Sequence, residues 1–216
     1  AGGSREQKFQ RMQITVACAL VLDSGLCTVP GGGEAALAGG VARHWWRDVA
    51  EQGHDPFAEL LALLDDADVI LGYNCLDFDF PLLRKHYGSS PEAQKRYISH
   101  RLKCHDPFSR IRASVGAWPK LDDLLKANGL DPKSGDGLQA IRMWEEGKRD
   151  ELLAYCEGDV AVLAKLCFLE QMTLPGYGPI PRAVYSTAGA LAAARVPARA
   201  QEEYVLVDAA VPSPEC

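Results

Sequence analysis

The chain has no CxxC pair, no signal-peptide pattern, and no internal repeat or low-complexity block. None of its apolar runs approaches the roughly 20 residues that a helix needs to cross a bilayer, so the chain is read as not membrane-spanning. Without paired cysteine spacing, neither a disulfide framework nor a zinc site is expected. The seven cysteines (Cys18, Cys27, Cys75, Cys104, Cys156, Cys167, Cys216) are scattered and odd in number. Several sit inside apolar runs, so they read as buried free thiols of an intracellular, reducing compartment. The chain also lacks an initiator Met and opens Ala1-Gly2-Gly3-Ser4. It reads as a processed protein or a fragment, compatible with an organelle reached after removal of a targeting peptide.

What is present is ample apolar material. With 216 residues, 47% of them hydrophobic, the chain can bury a real core as one domain, or one domain with a tail. Ile14 to Leu22 is a continuous apolar run rich in β-branched residues, the pattern of a strand buried on both faces. Asp23-Ser24-Gly25 signals a turn, after which Leu26 to Val29 is expected to return as the second arm of a hairpin. Adjacent Trp45 and Trp46 read as core anchors. Asp55-Pro56 predicts a helix start, with Leu60, Leu61, Leu63 and Leu64 as its buried stripe. Val69-Ile70-Leu71 then predicts a second buried strand. It breaks at Gly72-Tyr73-Asn74 and resumes as a helix carrying Phe78, Asp79, Pro81, Leu82 and Leu83. An acid just past the end of a buried strand is where α/β folds place chemistry.

Between Leu82 and Arg112 stand Arg84, Lys85, Lys95, Arg96, Arg101, Lys103, Arg110 and Arg112, opposed by Glu92 and Asp106, a net of about +6 in a chain of net charge −6. Such a segment is either a solvated helical face or a phosphate-contacting flank beginning at Arg84 and Lys85. Tyr87 and Tyr97 are aromatic neighbours to it. Leu121 to Leu130 predicts a short helix closed by Asn128-Gly129. Leu138 to Trp144 is helical, Gly147 interrupts, and Arg149 to Met172 carries one long helical pattern. Tyr155 and Asp159 lie one turn apart on one face of it. From Thr173 the composition turns Pro- and Ala-rich, with one strand-like island at Tyr204-Val205-Leu206-Val207-Asp208.

Carboxylates converging from separate elements suit a Mg²⁺ or Mn²⁺ site for phosphoryl chemistry, because such ions take hard oxygen ligands. GYNCLDFDFPLL resembles the second exonuclease motif, Asn-x-x-x-Phe-Asp, and YCEGD resembles the third, Tyr-x-x-x-Asp. Together they resemble the Tyr-subtype DEDD 3′–5′ exonucleases, relatives of B-family polymerase proofreading domains. The resemblance implies a ribonuclease H-like mixed α/β sheet flanked by helices over residues 14–172. An irregular lead-in (1–13) would precede it and an extended Pro/Ala-rich C-terminal tail (173–216) would follow. It also implies that Asp79 and Asp159 hold a metal, that Tyr155 orients the attacking water, and that Asn74 and Phe78 shape the substrate end. Asp77 and Glu157 are read as bystanders, and Asp106 as a helix cap.

One part of the pattern is missing. The family's first motif, Asp-x-Glu on a central strand, should lie upstream of Ile14, where the sequence reads AGGSREQKFQRMQ. Absence of that strand would leave its neighbours with unpaired backbone groups. The island at Tyr204–Ala210 is the preferred substitute, with Asp208 as a further metal-ligand candidate and Ala210 standing where the Glu belongs. An edge strand or an arm reaching to a partner is the alternative reading of that island. Two functions follow from the resemblance. One is an active exonuclease acting on single-stranded nucleic acid. The other is a degenerate exonuclease fold kept as a structural subunit, binding protein partners in a larger assembly.

Overall fold

A computed structural model of the chain describes residues 12–23, 25, 27, 33–49, 55–132, 137–186, 203–209 and 212–213. Its centre is a five-stranded mixed sheet with helices on both faces. The apolar run at the start of the sequence forms β1 (Gln13–Ile14) and β2 (Val16–Asp23), separated at Thr15. Helix α1 (Gly33–Ala38) leads into β3 (Val41–Trp46), which pairs antiparallel with β2, Trp46 opposite Val16 and Val41 opposite Val21. The return arm expected at Leu26–Val29 falls mostly outside the described residues, and the described hairpin partner of β2 is β3. The sequence concealed β3 because four of its six positions are exposed, leaving little apolar pattern to read.

Helix α2 (Ala58–Asp66) begins three residues after Asp55. Asp55 holds a turn instead, its carboxylate accepting the Phe57 N–H at 2.8 Å and its carbonyl the Ala58 N–H. Leu60, Leu61, Leu63 and Leu64 are buried as expected, each contributing roughly 1.5–3 kcal/mol. Strand β4 (Val69–Leu71) and helix α3 (Asp79–Leu83) follow as anticipated. Next come α4 (Pro91–Lys103), β5 (Cys104–His105), α5 (Pro107–Val115), α6 (Leu121–Ala127), α7 (Gly137–Glu145) and the long α8 (Arg149–Phe168). Ser90 caps α4 and Asp106 caps α5, each accepting a first-turn N–H, with Pro at the first helical position.

Part of the region expected as an extended tail is folded. β6 (Met172–Leu174) and β7 (Gly178–Ile180) form a hairpin, and α9 (Arg182–Tyr185) packs behind it. Met172, Leu174 and Tyr185 are buried with Ile111, Leu124 and Leu125 in a cluster of their own. Pro175 follows β6 into the turn and Pro181 precedes α9, while Pro179 is the middle residue of β7, opposite Thr173, on a two-stranded sheet whose strands each have a free edge.

The island near the C-terminus forms β8 (Glu203–Ala209), and β9 (Pro212–Ser213) pairs with β1. β8 lies between β2 and β4. It runs antiparallel to β2 from Asp23–Glu203 to Ala17–Ala209, and parallel to β4 from Val69–Tyr204 to Leu71–Leu206. The sheet order is therefore β3-β2-β8-β4-β5, with β4 and β5 also parallel. Side chains along β2 alternate between the two faces. Ala17, Ala19 and Val21 join the cluster that holds α2 and α3, while Val16, Cys18 and Leu22 join the one under α8.

Candidate functional site

Beyond Leu71 the chain turns through a tightly bonded loop. The Asn74 carbonyl accepts both the Asp77 N–H at 3.2 Å and the Phe78 N–H at 3.0 Å, and the Cys75 carbonyl accepts the Phe80 N–H at 2.9 Å. Asn74 takes the left-handed conformation, φ 60°, which Asn tolerates better than most residues. This winding delivers Asp79 to the first turn of α3 with a residue exposure of 5%. Phe78 is half-buried against the α2–α3 cluster.

The loop is anchored from outside by Asp106. Its carboxylate accepts the backbone N–H of Asn74 at 2.9 Å and of Leu76 at 3.2 Å, as well as Ser109 N–H at 3.3 Å and Oγ at 3.1 Å. The cap role was readable from Asp106-Pro107, but the two bonds to the loop were not, because they link residues about 30 apart in sequence. Arg101 donates to the Leu76 carbonyl at 2.7 Å, and Cys75 Sγ lies 3.0 Å from Cys104 Sγ on β5. Burial pushes the Cys75 thiol well above its ordinary pKa.

Helix α8 brings the second set of residues. Tyr155 (7% exposed) and Asp159 (3%) face inward, and Tyr155 clusters with Val69, Leu71 and Cys18. The direction of α8 follows from contacts at its two ends. Arg149 sits over the Trp46 ring at 5.1 Å, and Trp46 pairs with Val16 at the amino end of β2. Phe168 lies by α1, where a Cβ on Gly33 would come within 2.8 Å of its Cγ. Helix α1 leads through Gly40, packed on Leu22, into β3 opposite the carboxyl end of β2. So α8 runs along β2 and against β4. Its first half, with Tyr155, lies toward the carboxyl end of β4, the end from which the Asn74–Asp79 loop departs, and Asp159 follows one turn later at the helix midpoint.

Both α3 and α8 pack on β8. The register pairs Asp208 with Cys18, two residues beyond the Leu206–Leu71 pair, so its backbone also stands at the carboxyl end of β4. The side chain of Asp208 and all of Ala210 lie outside the described residues. Among the described residues no three His, Cys, Asp or Glu side chains group as metal ligands. Asp79 and Asp159 are nonetheless buried oxygen donors of the kind that Mg²⁺ and Mn²⁺ accept.

The remaining expected site residues are placed less centrally. Arg84 donates to the Gly88 carbonyl at 3.3 Å and lies over the Tyr97 ring, and Lys85 donates to the Met12 carbonyl at 2.6 Å. Much of the basic segment is engaged in the same way, with Arg96 on Asp65 and Lys103 on the Asp65 carbonyl. Asp77 pairs with Arg112 at 3.2 Å, and Glu157 lies 3.8 Å from His44. Two site-edge aromatics escaped the sequence reading. Tyr73 packs edge-on against Phe108 and donates to the Pro119 carbonyl at 2.7 Å, and Trp118 packs on the same Phe108. No protein-family model, curated protein or solved structure matches the chain.

Proposed function

We propose that the chain is a Tyr-subtype DEDD 3′–5′ exonuclease-like protein on a ribonuclease H-like fold, hydrolysing phosphodiester bonds at nucleic-acid 3′ ends with Mg²⁺ or Mn²⁺. The observation that carries this reading is the convergence on β8. The helices bearing Asp79 and Asp159 both pack against it, and the backbone of Asp208 stands at the same end of the sheet. In this reading β8 takes the central position of the family's first strand, supplied from the other end of the chain.

Asp79 and Asp159, with Asp208, would hold the metal. Bound there, divalent ions supply Lewis acidity toward the leaving oxygen and lower the pKa of a water. The Tyr155 hydroxyl, one helical turn from Asp159, orients that water for attack on the terminal phosphodiester. Asn74 and Phe78 shape the loop against which the last nucleotide rests. Burial of both aspartates excludes bulk water, strengthening their hold on a cation.

One observation favours a second reading, a degenerate fold kept as a scaffold for protein partners. Ala210 stands where the first motif has its Glu, and loss of a shared metal carboxylate should weaken catalysis severely.

The test is degradation of 5′-labelled single-stranded DNA and RNA with Mg²⁺ or Mn²⁺. Metal-dependent shortening from the 3′ end that disappears in Asp159→Ala supports the exonuclease. A folded wild-type protein that shortens neither strand overturns it in favour of the scaffold.

A further inference from the structure

We propose that Trp118, with the Arg112 guanidinium lying over one face of its ring, is a stacking platform for a base of single-stranded nucleic acid on the opposite face. This rests on the exonuclease-like reading of the neighbouring site and names where its substrate is gripped.

Trp118 is 69% exposed, although its indole would gain substantially from burial. Its position is nevertheless well defined. The ring meets Phe108 edge-on, with centroids 5.8 Å apart and planes at 72°. Phe108 is itself nearly buried and meets Tyr73 at 5.6 Å. The next residue, Pro119, accepts the Tyr73 hydroxyl at 2.7 Å. Trp118 is thus tied on two sides to Tyr73, two residues past the end of β4. A large aromatic held rigid but left open loses little entropy when a flat partner stacks on it.

The cation is fixed as well. Arg112 Cζ lies 4.8 Å from the Trp118 ring centroid and 5.7 Å from that of Phe108. Its Nη1 bonds Asp77 Oδ2 at 3.2 Å, which ties it to the loop that presents Asp79 two residues later. Residues 107–120 contain Arg110, Arg112 and Lys120 and no acidic residue. An aromatic surface beside basic groups is the recurring solution for single strands, with bases stacking while cations meet phosphates. A strand whose 3′ end reached the carboxyl end of β4 would have this platform at the rim of the site.

The measurement is binding of fluorescein-labelled oligothymidylate and oligouridylate of about ten nucleotides, in buffer without divalent metal so that nothing is cleaved. Trp118→Ala is expected to weaken binding about tenfold or more, and Trp118→Phe to stay within about threefold of wild type, since base stacking tolerates any aromatic. Unlabelled strand should quench tryptophan emission in wild type and much less in Trp118→Phe. Equal affinity of wild type and Trp118→Ala, or no binding by wild type, overturns the proposal and leaves Trp118 as a protein contact. The two readings fail separately. Trp118-dependent binding without any metal-dependent cleavage refutes the exonuclease alone, whereas cleavage unaffected in KM by Trp118→Ala refutes the platform alone.

Discussion

The Asp106 carboxylate, 1% exposed, accepts the Asn74 amide at 2.9 Å and thereby joins the start of α5 to the loop that carries Asp79. The same group accepts Leu76 N–H, Ser109 N–H and Ser109 Oγ. One side chain therefore satisfies three backbone donors in a region where water cannot reach them easily. Asp79 owes its position to a residue outside the motif that contains it.

Asp106→Ala should leave those donors without a buried partner and cost about 2–4 kcal/mol, since hydrogen bonds to charged groups contribute roughly 1.5–3 kcal/mol each and are not additive. Urea unfolding measures the loss. A change under about 0.5 kcal/mol would show that the loop is held without Asp106.

Asn74 sits at φ 60°. Asn74→Gly is expected to be neutral to within a few tenths of a kcal/mol, whereas Asn74→Val should lose about 1–2 kcal/mol because its branched Cβ crowds the left-handed region. Thermal melts of the two variants make the comparison. Equal stability would mean that the loop relaxes out of that conformation.

Removal of residues 201–216 takes β8 from the middle of the sheet, leaving β2 and β4 with unpaired N–H and C=O groups in the interior. The shortened chain should lose its cooperative unfolding transition, followed by circular dichroism in urea. A wild-type transition would show that another segment fills the gap.

His105 is buried, and burial foremost, with the Arg110 charge adding to it, pushes its pKa down from 6.5 to about 3. The unfolded chain therefore binds a proton there that the folded chain refuses. The sign follows: stability is complete above about pH 6.5 and falls as the pH drops toward 3, by at most about 1.4 kcal/mol per pH unit. His105→Asn should flatten that slope in melts between pH 7 and 4. An unchanged slope would assign the acid sensitivity to other groups.

Much of the fold was legible where local pattern and burial agree. Val69–Leu71 and the α3 helix after it are strong apolar patterns bounded by polar or glycine punctuation, and they form as read. The long pattern from Arg149 forms α8 but stops at Phe168, four residues short of the expected end, because Met172 opens β6. Strand β3 was not legible, because His44, Arg43 and Val41 lie on an exposed edge where periodicity carries no signal. The β6–β7 hairpin was masked by its own prolines, Pro175 in the turn and Pro179 inside β7, because proline in a short run argues against a strand. In the site, the sequence picked out Asp79, Tyr155 and Asp159 but had no means of tying Asp106 to the loop before Asp79, or of placing Tyr73 and Trp118 on the same Phe108 ring. The Asp106 bonds to the loop and the packing of Tyr73 on Phe108 join segments about 30 residues apart in sequence.

By itself, then, the sequence determined which segments are strands and helices wherever one face is continuously buried, and it named the buried acids. Only the tertiary structure decided that the island at 203–209 stands between β2 and β4, because strand order depends on backbone pairing across some 180 residues. That pairing is what gathers α3 and α8 around one strand end, and so turns separate motifs into one candidate site.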